Sequence, residues 1–289
     1  MQYADIEEFI DKAPQALARG PIALTMAEDV VELESTLRHN LQSGFGCVVL
    51  FAPEEVSLPN ALAEKVHHVT YDVYAENALI EAVNRINDAA LNQWIYYSFN
   101  AEYLFFPFSE SRSVKDLLAF HAEERRSAMI SYVIDLYAGN LSEHSNAVSL
   151  SDAHLDRSGY YSLARKDEAK NWQPKDRQLD FYGGLRWRFE EHIPWSRRKI
   201  DRVSLFRAQK GLRLRPDFTF SDEEFNTYAC PWHNNLTAAI CSFRTAKALR
   251  SNPGSRFAIK DFRWHNSVPF TWHSQQLMDL GLIEPGQWF

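Results

Sequence analysis

Two short apolar runs on either side of one amphipathic segment constrain the fold of this chain most. PIALTM (Pro21 to Met26) and CVVLFAP (Cys47 to Pro53) are short enough and apolar enough to be buried strands. Between them, AEDVVELESTLRHNLQSGFG sets Val31, Leu33, Leu37 and Leu41 at helical spacing, with Gly44 as a natural stop. The alternation continues. HHVTYDV (His67 to Val73) is a weaker third strand. ENALIEAVNRINDAALNQ puts Ile80, Val83, Ile86 and Ala90 on one helix face, and WIYYSF is a fourth strand. SVKDLLAFHAEER reads as a helix opened by Ser113 as N-cap, and SAMISYVIDLY as another strand. Strands joined by helices imply a parallel sheet with right-handed crossovers. The predicted class is therefore α/β: a Rossmann-like, mostly parallel sheet flanked by helices.

The texture changes after about Asn140. The stretch to about Gln178 is polar and turn-rich and predicts a long loop over the sheet. Between Arg186 and Arg215 ten Lys or Arg stand against three Asp or Glu, although the whole chain carries a formal charge of −7. That local excess is either a solvated, ion-paired face or a surface that meets anionic groups such as a nucleotide diphosphate. The acidic total excludes a general nucleic-acid binder. Asn234 to Leu249 predicts a further helix, and the tail after Ser251 an ordered extension packed on the body. The expected organisation is an N-terminal helical segment (1–20), a main domain (21–250) and a C-terminal extension (251–289).

A hydrophobic content of 45% with 24% charged residues is that of a globular protein. Cys47, Cys230 and Cys241 give no disulfide framework and suit a reducing compartment. The first residues, MQYADIEEFIDKAP, lack the apolar core of a signal peptide, and no stretch approaches the roughly 20 apolar residues of a membrane span. A cytoplasmic protein without a transmembrane segment is expected.

One stretch bears directly on function. In NQWIYYSFNAEYLFFP (Asn92 to Pro107) the fourth strand ends in the polar step Asn100-Ala101-Glu102. The carboxyl end of a strand is where α/β proteins hold ligands. Two carboxylates one residue apart there would form a metal site, but the step holds one.

ALTM before a helix, then LRHNLQSGFGCVVLF, then WIYYSFNAEYLFFP resembles bacterial family-2-type glycosyltransferases of the GT-A fold. An aspartate–aromatic turn (Asp156 to Tyr161), a Gly-Gly-x-Arg element (Gly183, Gly184, Arg186) and Phe243-Arg244, where the family carries His-Phe-Lys, follow in the family's order. The resemblance spans about Pro21 to Leu249. It implies a GT-A-like domain that transfers a sugar from a nucleotide-sugar to a glycan-type acceptor. It also implies an Asp-x-Asp motif whose divalent cation neutralises the leaving diphosphate.

The motif itself is changed. Aligned on Glu102-Tyr103-Leu104 and Pro107, the metal-binding aspartates fall on Phe99 and Ala101, which offer no ligand oxygen. Shifting the frame by one gives Asn100 and Glu102 but loses the Tyr-Leu-x-x-Pro match, so the first frame is preferred. The Asp-Asn after the second strand is replaced by Ala52-Pro53-Glu54-Glu55, and the late histidine by Ser242. The expectation is a site without bound metal or other cofactor.

The resemblance implies donor-binding roles for Thr25, Glu28, Asp29, Arg186, Arg188 and Arg244. Glu28 and Asp29 are alternatively first-turn acids complementing a helix dipole. Arg186 and Arg188, on alternate positions of an extended segment, would share one side and replace the metal as a diphosphate clamp. Candidate catalytic groups are Glu102, which otherwise is a solvated strand-end charge, and Asp222 and Glu223, a general base or else an exposed charge run. Cys230-Pro231-Trp232-His233 has the gap of half a zinc site but no second pair. The sequence thus predicts a glycosyltransferase-like protein working without the usual metal, with a catalytically inactive binding or scaffold module as the alternative.

Overall fold

The structure is a computed structural model, and it describes residues 1–228 and 236–286. Cys230-Pro231-Trp232-His233 lies outside the described residues. The fold is α/β, with strands running mostly parallel in a large mixed sheet flanked by helices. The chain divides into two compact units. One comprises Met1–Tyr103, Ser111–Met129 and Val203–Asn226; the other comprises Leu104–Glu110, Ile130–Arg202 and Thr227–Phe289.

The chain opens with β1 (Gln2–Tyr3), α1 (Ile6–Lys12) and α2 (Pro14–Leu17). It then alternates through β2 (Ile22–Met26), α3 (Leu33–Gln42), β3 (Cys47–Ala52), α4 (Asn60–Ala63), β4 (Val66–Thr70), α5 (Ala78–Ala89) and β5 (Trp94–Phe99). β2 pairs in parallel with β3 on one side and β5 on the other, β3 pairs with β4, and β4 with β1. Every residue of β2 and β3 is buried. That is the signature of strands covered on both faces, and it explains why continuous apolar runs mark them. α3 buries Leu33 and Leu37 as the spacing predicts, but also Thr36 and Asn40. Val31 precedes that helix, and Gly44 ends it with φ 94°. α5 turns Leu79, Ala82, Val83 and Ile86 inward.

The next elements are β6 (Glu102–Phe105), α6 (Val114–Glu123) and β7 (Ala128–Asp135). Ser113 caps α6 as the sequence predicts, in a reciprocal capping box with Asp116.

The polar stretch after Asn140 is not one long loop. It contains β9 (Ala153–Asp156), which pairs with the short β8 (Tyr137–Ala138), and an antiparallel hairpin of β10 (Tyr161–Asp167) and β11 (Gln173–Tyr182). β10 is largely solvent-exposed, so no apolar run announces it. Arg186 and Arg188 lie in a short helix, α7 (Gly184–Arg188), rather than an extended segment. Residues two apart on a helix point to opposite sides, so the shared-side clamp does not form. β12 (Asp201–Arg207) lies antiparallel to β5, with Leu205 opposite Tyr96.

The helix predicted from Asn234 to Leu249 is, in its described part, a strand and then a helix: β13 (Ala238–Ser242), parallel to β7, and α8 (Arg244–Ser251). AAICS is wholly buried in the sheet, and burial on both faces overrides the helix preference of its alanines. The tail carries β14 (Ser267–Pro269), paired with β9, and α9 (Ser274–Asp279). Phe262 and Ile259 of that tail join Tyr137, Leu185 and Leu249 in one core cluster. No helix among the described residues is long and apolar enough to cross a membrane.

Candidate functional site

In the first unit the chain runs from β2 outward to β3 and β4, then returns to β5 on the other side of β2. The carboxyl ends of β2 and β5 therefore flank a topological switch point, where open α/β sheets bind ligands. Thr25, Glu28, Asp29 and Glu102 are all brought to this place, and the structure shows what each does there.

Asn100 occupies the centre and is fully buried. Its Oδ1 accepts the Glu28 N–H (3.0 Å), while Nδ2 donates to Asp29 Oδ1 (2.6 Å) and the Val31 carbonyl (2.9 Å). One side chain thus ties the loop after β2 across the crevice. The Tyr74 hydroxyl adds a bond to the Glu28 carbonyl. Ala101 sits in the left-handed region (φ 59°), and its N–H donates to Thr36 Oγ1 (2.9 Å). Glu102 is 1% exposed and its Oε2 accepts the Phe99 N–H (2.9 Å), so it braces the turn and is not a solvated strand-end charge. Tyr103 bonds Ser35 Oγ (2.7 Å), and burial pushes its phenol up to about 12. Thr25 is fully buried, and its hydroxyl accepts from Asn40 Nδ2 (3.2 Å). It belongs to the contact between β2 and α3.

Glu28 and Asp29 precede α3, whose first-turn acid is Glu34, so they are not its dipole-complementing acids. They belong to an acidic rim. The loops after β2, β3 and β4 carry Glu28, Asp29, Glu54, Glu55, Asp72 and Glu76, and no Lys, Arg or His.

At the positions where the resemblance puts the metal aspartates, the side chains do not fit a divalent cation. Phe99 and Ala101 are buried and their side chains offer no oxygen, the Asn100 amide is committed to the loop, and Glu102 accepts a backbone N–H. Among the described residues no group of His, Cys, Asp and Glu stands ready to hold a metal ion.

Asp222 and Glu223 fall elsewhere in this unit. Both are exposed. Asp222 caps the Glu224 N–H (3.0 Å), and Glu223 pairs with Arg215 (3.2 Å). Their segment is fastened to α5 through Arg213–Asp88 (2.8 Å) and Asn84–Leu214, away from the tips of β2 and β5.

Arg186, Arg188 and Arg244 lie in the second unit. Arg188 donates to both oxygens of buried Asp156 (3.0 and 3.1 Å) and to the Phe262 carbonyl, and lies 4.7 Å from the centre of the Trp264 ring. Tyr137 (2.5 Å) and Trp264 Nε1 (2.8 Å) also donate to Asp156. Arg186 donates to the Lys199 carbonyl (2.6 Å) and Thr245 Oγ1 (3.2 Å), with Asp135 at 3.7 Å. Burial holds the Asp135 carboxyl above the usual carboxylate range, against the pull of Arg186. Arg244 opens α8, its N–H bonded to Ser242 Oγ (3.2 Å).

The Gly-Gly pair explains itself here. A Cβ on Gly183 would lie 2.3 Å from the Tyr160 ring. Gly184 has φ 60°, and a Cβ there would lie 2.9 Å from Asp135 Oδ2. Sequence reasoning missed Asn100, Asp135, Tyr137 and Trp264 as organisers of these clusters. An aspartate closing the apolar run SAMISYVID was the available signal for Asp135.

The chain matches no protein-family model, and no curated protein matches it.

Proposed function

We propose that this is a glycosyltransferase-like protein of GT-A type that works as a noncatalytic binding or scaffold module, its strand-tip crevice no longer serving a metal-bound nucleotide-sugar. One observation carries the reading: the loops after β2, β3 and β4 are acidic, and the centre of the crevice is filled by the Asn100 clamp. A diphosphate there meets repulsion of about 1 kcal/mol per unit charge at 4 Å even in bulk water, and the loops after β2, β3 and β4 carry no Lys, Arg or His to offset it. The arginines expected to replace the metal are spent on Asp156, Asp135 and backbone carbonyls.

A second reading, sugar transfer without a metal, draws on Asp135. A buried carboxyl held above its ordinary range is what a general base for an acceptor hydroxyl needs.

Thermal unfolding with a panel of nucleotide-sugars, with and without Mn²⁺, separates the two. A donor present at a hundredfold its Kd stabilises by about 2.7 kcal/mol, an easily read shift. The expected outcome is no shift under either condition. A donor that stabilises the protein without metal, with loss of that effect in Arg244→Ala, overturns the noncatalytic reading in favour of transfer. A shift that requires Mn²⁺ overturns the assignment of Phe99 and Ala101 to the lost metal positions.

A further inference from the structure

The second unit holds a cavity of about 240 Å³ whose chemistry differs from that of any phosphate site. Three of its lining rings touch one another: Tyr132 and Phe181 centroids are 4.6 Å apart, Phe181 and Tyr228 5.3 Å, and Tyr132 and Tyr228 6.5 Å. Their planes are tilted by 48° to 57°, so they form an aromatic corner and not a flat stack. Tyr161, itself stacked on Tyr182 at 5.3 Å, brings a further ring to the lining. Among the described residues the only charged side chain lining the cavity is Glu284. Glu284 is exposed; Tyr228 donates to its Oε1 (3.1 Å), and the Glu284 backbone N–H donates to Thr237 Oγ1 (2.7 Å).

Among the described residues the lining disfavours an anion, because it offers one negative charge, electron-rich ring faces and no basic group. The volume excludes a whole nucleotide, being below the roughly 300–1,000 Å³ of pockets that take drug-sized ligands. The carboxylate beside ring faces favours a small cation over a neutral molecule of the same shape. A primary ammonium is strongly hydrated and needs acceptors on every N–H. An alkylated ammonium is weakly hydrated, presents methyl groups to ring faces and needs one counter-charge.

We propose that this cavity binds a small alkylated ammonium group, of the kind carried by choline, between the rings of Tyr132, Phe181, Tyr228 and Tyr161 and the Glu284 carboxylate. The inference does not depend on whether the protein transfers sugars.

The test is calorimetric titration of the full chain with tetramethylammonium and choline at constant ionic strength. The comparison ligand is 3,3-dimethylbutan-1-ol, the uncharged isostere of choline. The cations bind saturably and at least tenfold more tightly than the isostere, and their methyl proton resonances move upfield through ring currents. Glu284→Gln weakens the cations about tenfold and leaves the isostere unchanged. Phe181→Leu, which keeps apolar volume and removes the ring, weakens the cations similarly; its melting curve establishes that it is folded. No saturable binding of either cation overturns the proposal. So does equal affinity for the isostere, which would make the cavity merely apolar.

Discussion

Asn100 stands where the family resemblance places the middle of a metal motif, yet it acts as a brace, with three hydrogen bonds into the loop after β2. Buried hydrogen bonds contribute about 1 kcal/mol each, and the groups left unsatisfied cost more. Asn100→Ala should therefore lower unfolding stability by about 2–4 kcal/mol in urea titrations and speed amide exchange at Glu28 and Val31. An unchanged exchange rate there would show that the loop holds itself. His121 makes the opposite case. Neither ring nitrogen has a hydrogen-bond partner, and burial depresses its pKa to about 3. The unfolded chain then binds a proton that the folded one refuses between about pH 6.5 and pH 3, so stability is fully present above pH 6.5 and falls with acid. The slope is about 1.4 kcal/mol per pH unit for one such group. Burial lowers His67 and His68 in the same sense. His121→Leu should flatten the pH dependence over that window and raise stability at pH 7 by about 1–2 kcal/mol. A steeper acid transition in the variant would refute it.

Elements differ in how clearly the sequence announced them. β2, β3, β5 and β7 were legible because strands covered on both faces must be apolar throughout, and α6 because Ser113 marks its cap. β10 and β11 were not, since an exposed hairpin is held by backbone bonds that leave no apolar record. β13 was read as helix because its alanines favour one, and only burial beside β7 decided otherwise. The candidate site was half legible. Its place at the tips of β2 and β5 follows from strand order, but the use of Arg186 and Arg188 as internal partners depends on contacts with residues far along the chain. The turn into α7 belongs to this scale too. Gly184→Ala places a side chain at φ 60° against Asp135, and about 2 kcal/mol or more should be lost, read as a lowered unfolding midpoint. A neutral result would mean that Asp135 moves freely.

At the scale of the molecule, the architecture and the chemistry placed on it are separate matters. The strand order sets a switch point between β2 and β5, while the loops after β2, β3 and β4 carry carboxylates and no Lys, Arg or His. The cavity of the second unit offers a binding chemistry of its own. Neither unit is a continuous stretch of chain: the first draws its last part from Val203–Asn226, and the second opens with Leu104–Glu110 and ends at the C-terminus. On the ribosome, then, the first unit cannot close until residue 226 has emerged, although its opening strands are made long before. Those early strands wait with β5 lacking its antiparallel neighbour β12, so the nascent protein passes through a period in which an apolar sheet edge stands open to aggregation or to a chaperone.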